Sequence, residues 1–185
     1  MPAVRFPIMP DYRRLRVAGA SYFFTVNVED RASRLLLTRI EALRRAFRTT
    51  RVELPFRVDA IVVLPEHLHC VWTLPRNDCD FSTRWQRIKA RFSQACPRGE
   101  PCRKSRMHKR ERGIWQRRFR EHLLRDERDW EAHVNYTHYN PVKHGHVNRV
   151  CDWPYSSFHR YVRQNILPLD WAGDAGPEGN FGECT

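Results

Sequence analysis

Two hydrophobic periods alternate along the chain. Residues 22–28 are rich in aromatic and β-branched side chains, the composition of a strand. Leu36, Ile40, Leu43 and Phe47 then recur at steps of four, three and four. That spacing is the apolar stripe of an amphipathic helix, and Arg39, Arg44, Arg45 and Arg48 lie off it. Period two returns over 56–64, where Phe56, Val58, Ala60, Val62 and Leu64 are expected on one face of a second strand. Pro65 and Glu66 break it, and a third strand follows over 67–74. Strands so close in sequence pair antiparallel. Residues 81–96 read as a helix with an apolar stripe of Trp85, Ile88 and Phe92 and a parallel basic stripe of Arg84, Arg87 and Arg91. Residues 97–113 hold Arg98, Arg103, Lys104, Arg106, Lys109, Arg110 and Arg112 with almost nothing apolar, so a flexible basic loop is expected there. A fourth strand fits 114–125. A helix fits 126–140, with Asp126 as N-cap, acids in its first turn and Pro141 forcing its end nearby. From Pro168 onward the composition is that of an irregular tail.

The order β-α-β-β-α-β plus one helix is the split βαβ pattern. It predicts an α+β, ferredoxin-like fold: a four-stranded antiparallel sheet with helices on one face, an extra helix and a C-terminal extension. The expected organisation is a basic arm over 1–20, one domain over 21–165 and a tail over 166–185. Composition changes the picture through charge. Lys and Arg number 33 against 21 acids, a net +12, which points to a polyanionic partner. No apolar run approaches the ~18 residues of a membrane span, and the first ten residues lack a signal-peptide core. Nucleic acid in the cytoplasm is therefore favoured over a membrane. The six cysteines form no CxxC and no zinc spacing, so reduced thiols are expected.

Candidate chemistry concentrates in two places. In the run Glu66-His67-Leu68-His69, the histidines are two apart on a predicted strand and project from one face, roughly 6–7 Å apart along it. Two imidazoles so placed can converge on a metal ion or form a hydrogen-bonded structural pair; Glu66 points away from them. On the predicted helix, Tyr136 and Asn140 are four apart and share a face. A phenol beside an amide oxygen can serve a metal-assisted site. The same residues can equally be an interface tyrosine and a helix-ending asparagine. Tyr139 is a rival to Tyr136, on a less suitable face. His133, one turn before Tyr136, is a candidate base.

Taken together, these features carry a family resemblance. The runs DYRR (11–14), YFFTVN (22–27), VLPEHLHC (63–70), IWQRRF (114–119), YTHYNPVKHG (136–145) and DWPYSSF (152–158) occur in one order. They resemble the REP-associated tyrosine transposases, which are relatives of the Y1 transposases in the HUH (His-hydrophobic-His) endonuclease superfamily. The likeness spans roughly residues 11 to 172. It implies a metal-dependent single-strand DNA endonuclease and strand transferase. Its substrates would be REP-like hairpins with a short guide tetranucleotide, cut through a 5′-phosphotyrosine intermediate. It puts the nucleophile on Tyr136 and the ligands of Mg²⁺ or Mn²⁺ on His67, His69 and Asn140, where insertion-sequence relatives often carry glutamine. It also implies a monomer. Candidate DNA contacts are Arg13, Arg14, Arg84, Arg87, Arg91, Arg117, Arg118 and Lys143. The alternative function is a non-catalytic binder of REP hairpins or RNA.

Overall fold

The computed structural model describes residues 15–97 and 112–171; Arg13, Arg14, residues 98–111 of the basic segment and the tail from 172 lie outside them. The strands are β1 (Ser21–Asn27), β2 (Arg57–Val63), β3 (His67–Thr73) and β4 (Arg120–Leu123). They form one antiparallel sheet in the order β2-β3-β1-β4, the split βαβ arrangement that the sequence predicts. The helices are α1 (Leu35–Thr38), α2 (Ile40–Glu53), α3 (Phe81–Ala95), α4 (Glu127–Lys143) and α5 (Phe158–Arg163).

Alternation along the central strands sorts their side chains into two layers. Tyr22, Phe24 and Val26 of β1 and Leu68, Cys70 and Trp72 of β3 face α2 and α3, meeting Leu43, Phe47, Trp85, Ile88 and Phe92. The Trp72 and Trp85 rings stack at 4.3 Å. Each ring removed from water contributes roughly 2–3 kcal/mol, so this layer holds the sheet flat against both helices. On the opposite face Phe23, Ala60 and Val71 meet Val134 and Tyr136 of α4 and Tyr161 of α5. The extra helix thus covers the second face of the sheet, and β1 and β3 are buried from both sides.

Four expectations need correction. The first predicted helix divides at Arg39 into α1 and α2. The Leu36 amide is tied to the Pro65 carbonyl, which anchors the first turn to the β2–β3 hairpin. The one-faced strand over 56–64 is interrupted by an irregularity between Val58 and Ala60. As a result Phe56, Val58, Ile61 and Val63 pack toward α2 and α3, whereas Ala60, Val62 and Leu64 turn to the other side. The extra residue is Asp59, a buried carboxylate held by Arg57 and Thr73, with a backbone carbonyl that accepts from Tyr161 Oη. A bulge of this kind reverses every side chain beyond it. The fourth strand is confined to Arg120–Leu123, although Trp115 bridges Val28 just before it. Finally, α4 runs through Pro141 to Lys143. Proline removes one donor near the helix end, and the helix closes a turn later with bonds from Gly145 N to Val142 O and from His146 N to Pro141 O. No helix among the described residues is long and apolar enough to cross a membrane.

Candidate active site

The pleat of β3 puts Leu68, Cys70 and Trp72 into the core and turns His67 and His69 to the face that α4 covers. The two imidazole rings lie 4.8 Å apart, centroid to centroid, and both are buried. Each is held through its Nδ1: His69 against Thr25 Oγ1 at 3.0 Å, and His67 against Glu66 Oε1 at 2.8 Å. A ring oriented through Nδ1 presents Nε2 as the ligating nitrogen, the arrangement common to metal-bound histidines. Burial raises the Glu66 carboxyl pKa, but the bond and charge of His67, a backbone bond and the charge of His144 together outweigh it, so the group is held below the usual glutamate range. The Phe23 ring stacks on His69 at 5.3 Å.

The helix α4 brings Tyr136 to this pair. Its ring meets His69 edge-on at 5.5 Å, and only 1% of Tyr136 is exposed. Asn140, one turn further on, is fully buried on the same helix face. Its side-chain oxygen accepts no hydrogen bond, although Asn140 makes other interactions. Two imidazoles and an amide are a neutral N,N,O donor set, which suits a divalent cation that keeps positions open for phosphate oxygens. The donors therefore fit the group that the resemblance implies.

Sequence reasoning missed several contacts. Lys143, expected among the DNA contacts, donates from Nζ to Tyr136 Oη at 3.0 Å and lies 4.7 Å above the ring centroid. The signal was its i, i+7 spacing from Tyr136, which was hidden by ending the helix at Pro141. His144 also reaches the site, 5.2 Å from the His67 ring. His133 is engaged elsewhere, with Nδ1 2.8 Å from the Asp129 carbonyl, and burial lowers its pKa below that of an ordinary histidine. Thr25 and Glu66, which orient the pair, lie within the runs YFFTVN and VLPEHLHC, and Glu66, expected to point away from the histidines, instead bonds to His67.

The basic stripe of α3 is placed differently from the expectation. Arg84 is 1% exposed and donates to Asp78, to the Asp80 carbonyl and to the Pro55 carbonyl, which removes it from any nucleic-acid surface. The bond from Arg84, working against the effect of burial, holds the Asp78 carboxyl pKa low. Arg87 and Arg91 both pair with Glu53, stapling α3 to α2, and Arg91 adds Thr50. Arg117 and Arg118 are exposed just before β4.

No protein-family model matches the chain. It is 47% identical over 166 residues to a REP-associated tyrosine transposase of Escherichia coli (strain K12), covering 90% of this chain and 93% of that one. A provisionally named REP-associated tyrosine transposase of Haemophilus influenzae is 46% identical over 169 residues, covering 90% and 95%. Among solved structures, a REP-associated tyrosine transposase bound to a REP hairpin matches with a TM-score of 0.80 and 45% identity, over 93% of this chain and 99% of that one. A split βαβ sheet with a histidine pair facing a helix-borne tyrosine, in a chain matched over 90% or more of its length by these relatives, defines the molecule as a tyrosine transposase. Within that class it belongs to the REP-associated tyrosine transposase family.

Proposed function

We propose that this transposase is an HUH-type, metal-dependent endonuclease and strand transferase. It acts as a monomer on single-stranded DNA beside REP-like hairpins and works through a 5′-phosphotyrosine. The observation that carries the reading is the meeting of Tyr136 with His69 while the phenol oxygen is bonded to Lys143. The structural relative bound to a REP hairpin supports the choice of substrate. His67, His69 and Asn140 would hold Mg²⁺ or Mn²⁺, which when bound supplies a Lewis acid for the scissile phosphate.

Tyr136 is the nucleophile in this scheme. Its Oη forms a bond to phosphorus as the bond to the 3′ oxygen breaks; the phenol gives up its proton and the departing 3′ oxygen gains one. An unperturbed phenol has a pKa of about 10, so the oxygen needs a neighbour that favours its anion. The Lys143 ammonium is that neighbour, offsetting charge on Oη as the proton leaves. Packing of the Tyr136 ring among Phe23, His69 and the Lys143 amine fixes the direction of Oη. Phosphodiester energy is retained in the tyrosyl ester, so the strand can be rejoined without another energy source. Arg117, Arg118 and the basic segment over 98–111 would track the flanking phosphates.

The test is denaturing electrophoresis of the protein with end-labelled single-stranded REP-type hairpin DNA, in Mn²⁺ or in EDTA. Wild type should give a protein-linked DNA band in Mn²⁺ alone. Tyr136→Phe should give none, and Lys143→Met should form the band about 100-fold more slowly. Tight hairpin binding with no adduct under any metal condition would instead establish a non-catalytic binder. An adduct that persists in Tyr136→Phe would move the nucleophile, with Tyr139 the next candidate.

A further inference from the structure

A second cluster of metal-ligating side chains lies outside the site described above. His122 comes from β4, and Asp129 and His133 are four apart on one face of α4. One donor atom from each can be chosen so that all lie within 4.8 Å of one another. His122 Nε2 is 3.0 Å from Asp129 Oδ2, and His133 Nδ1 is 3.1 Å from Asp129 Oδ1. The two imidazole rings stack at 4.6 Å, 18° from parallel, with both edges turned to the same carboxylate.

We propose that His122, Asp129 and His133 form a second, structural metal site that takes a borderline-soft divalent cation of the Zn²⁺ type and ties the edge strand β4 to the start of α4. Zn²⁺ binds imidazole nitrogen and carboxylate oxygen at about 2.0–2.2 Å, so the donors of a tetrahedral site stand roughly 3.3 Å apart. Asp129 Oδ1 is already 3.3 Å from His122 Nε2 and 3.1 Å from His133 Nδ1, and all three donors lie within 4.8 Å of one another, so a small approach of the two rings completes the site. Two imidazole nitrogens and an anionic carboxylate oxygen are a donor set that suits Zn²⁺ and its late first-row neighbours. The carboxylate is in its ligating form: burial pushes Asp129 up, but bonds from His122 and Arg125 hold it at about 2. Each imidazole would coordinate through a ring lone pair, with the ring proton carried on the other nitrogen; for His133 the ion would replace the bond that Nδ1 now makes to the Asp129 carbonyl at 2.8 Å. The Arg125 guanidinium now rests on Asp129 Oδ2 at 3.1 Å but is 74% exposed, so it can swing into solvent. The Arg125 backbone amide, also 3.1 Å from Oδ2, would stay to orient the carboxylate. His122 has 42% of its side chain exposed, which gives the ion a way in and leaves a fourth position for water.

The place of the cluster gives it a purpose. Phe23 pairs with His122 across the β1–β4 ladder. Its ring lies against His133 at 4.9 Å and stacks on His69 at 5.3 Å. A cation here would fix the first turns of the helix that carries Tyr136, one aromatic ring away from the histidine pair. The proposal stands whether or not Tyr136 is the nucleophile.

The test uses the full chain, stripped of metal, and titrates it with Zn²⁺ and with Co²⁺ as a spectroscopic probe. Wild type and a His67→Ala/His69→Ala double variant should both bind one ion at this cluster. Both should gain about 5 °C or more in Tm at saturating Zn²⁺. His122→Gln, which keeps a donor for Asp129 and so preserves the hydrogen-bonded network, should bind at least about 10-fold more weakly and lose the Tm gain. Circular dichroism confirms that each variant is folded. Three outcomes would overturn the proposal: an equal Zn²⁺ response in wild type and His122→Gln, binding that disappears only in the His67→Ala/His69→Ala variant, or a Co²⁺ spectrum with thiolate bands, which would place the ion on cysteines.

Discussion

His138 stands between Tyr136 and Asn140 in sequence, but its ring turns to Tyr161, at 4.7 Å, and Phe158, at 5.9 Å. Nε2 pairs with Ser157 Oγ at 2.9 Å. Burial, and after it the charge of Arg160, push its pKa from 6.5 down to about 3. The native chain therefore refuses a proton that the unfolded chain accepts as soon as pH falls below the ordinary histidine range. The stabilising contribution is complete above pH 6.5 and is lost as pH falls toward about 3. Across that window it amounts to about 5 kcal/mol. Urea unfolding between these limits should show stability falling with acid in wild type and a much flatter profile in His138→Gln; equal slopes would mean that His138 is protonated in the fold. Arg84 teaches a related lesson about single residues. It was legible only as one of three arginines on a helix stripe, and nothing local distinguishes the one that meets Asp78 and two carbonyls from its solvated neighbours.

At the scale of elements, α4 does the most. It presents Tyr136, Asn140 and Lys143 over successive turns, and it can do so only because it survives Pro141 for one more turn. Its end is a Schellman-type closure with Gly145 at φ 67°, in the left-handed region. A Cβ added there would meet nothing within 4 Å, so a substitution is penalised by backbone conformation alone. Gly145→Ala should cost about 1 kcal/mol, seen as a drop of roughly 3 °C in thermal unfolding. An unchanged Tm would show that residue 145 leaves the left-handed region without loss. The bulge at Asp59 is the other decisive local event, because it gives one strand two different buried faces.

For the molecule as a whole, the net charge of +12 is not spread as the sequence pattern suggests. Arg84, Arg87 and Arg91 hold α2, α3 and the loop before α3 together. Contact with phosphates is then proposed for exposed residues such as Arg117 and Arg118. Hairpin DNA binding should weaken on the order of 100-fold between roughly 50 and 200 mM salt, as counterion release requires. Replacing Arg117 and Arg118 together should lower the slope of log K against log salt by about two, whereas Arg87→Ala should leave it nearly unchanged. A flat salt response in fluorescence anisotropy would remove the electrostatic basis for binding.

The sequence by itself determined what depends on local periodicity and order. The alternation in β1 and β3, the stripes of α2 and α3, the N-cap Asp126 and the run of motifs suffice for the sheet, the family and the shared direction of His67 and His69. Each of these is decided by neighbours within a few residues. Only the tertiary structure decided what long-range packing selects. It closes α4 beyond Pro141, places Lys143 on the phenol, gives the Nδ1 atoms of His67 and His69 to Glu66 and Thr25, and buries Arg84. A side chain's hydrogen-bond partner is whichever group the fold delivers to it, and residues as far apart as Thr25 and His69 meet only once β1 and β3 have paired.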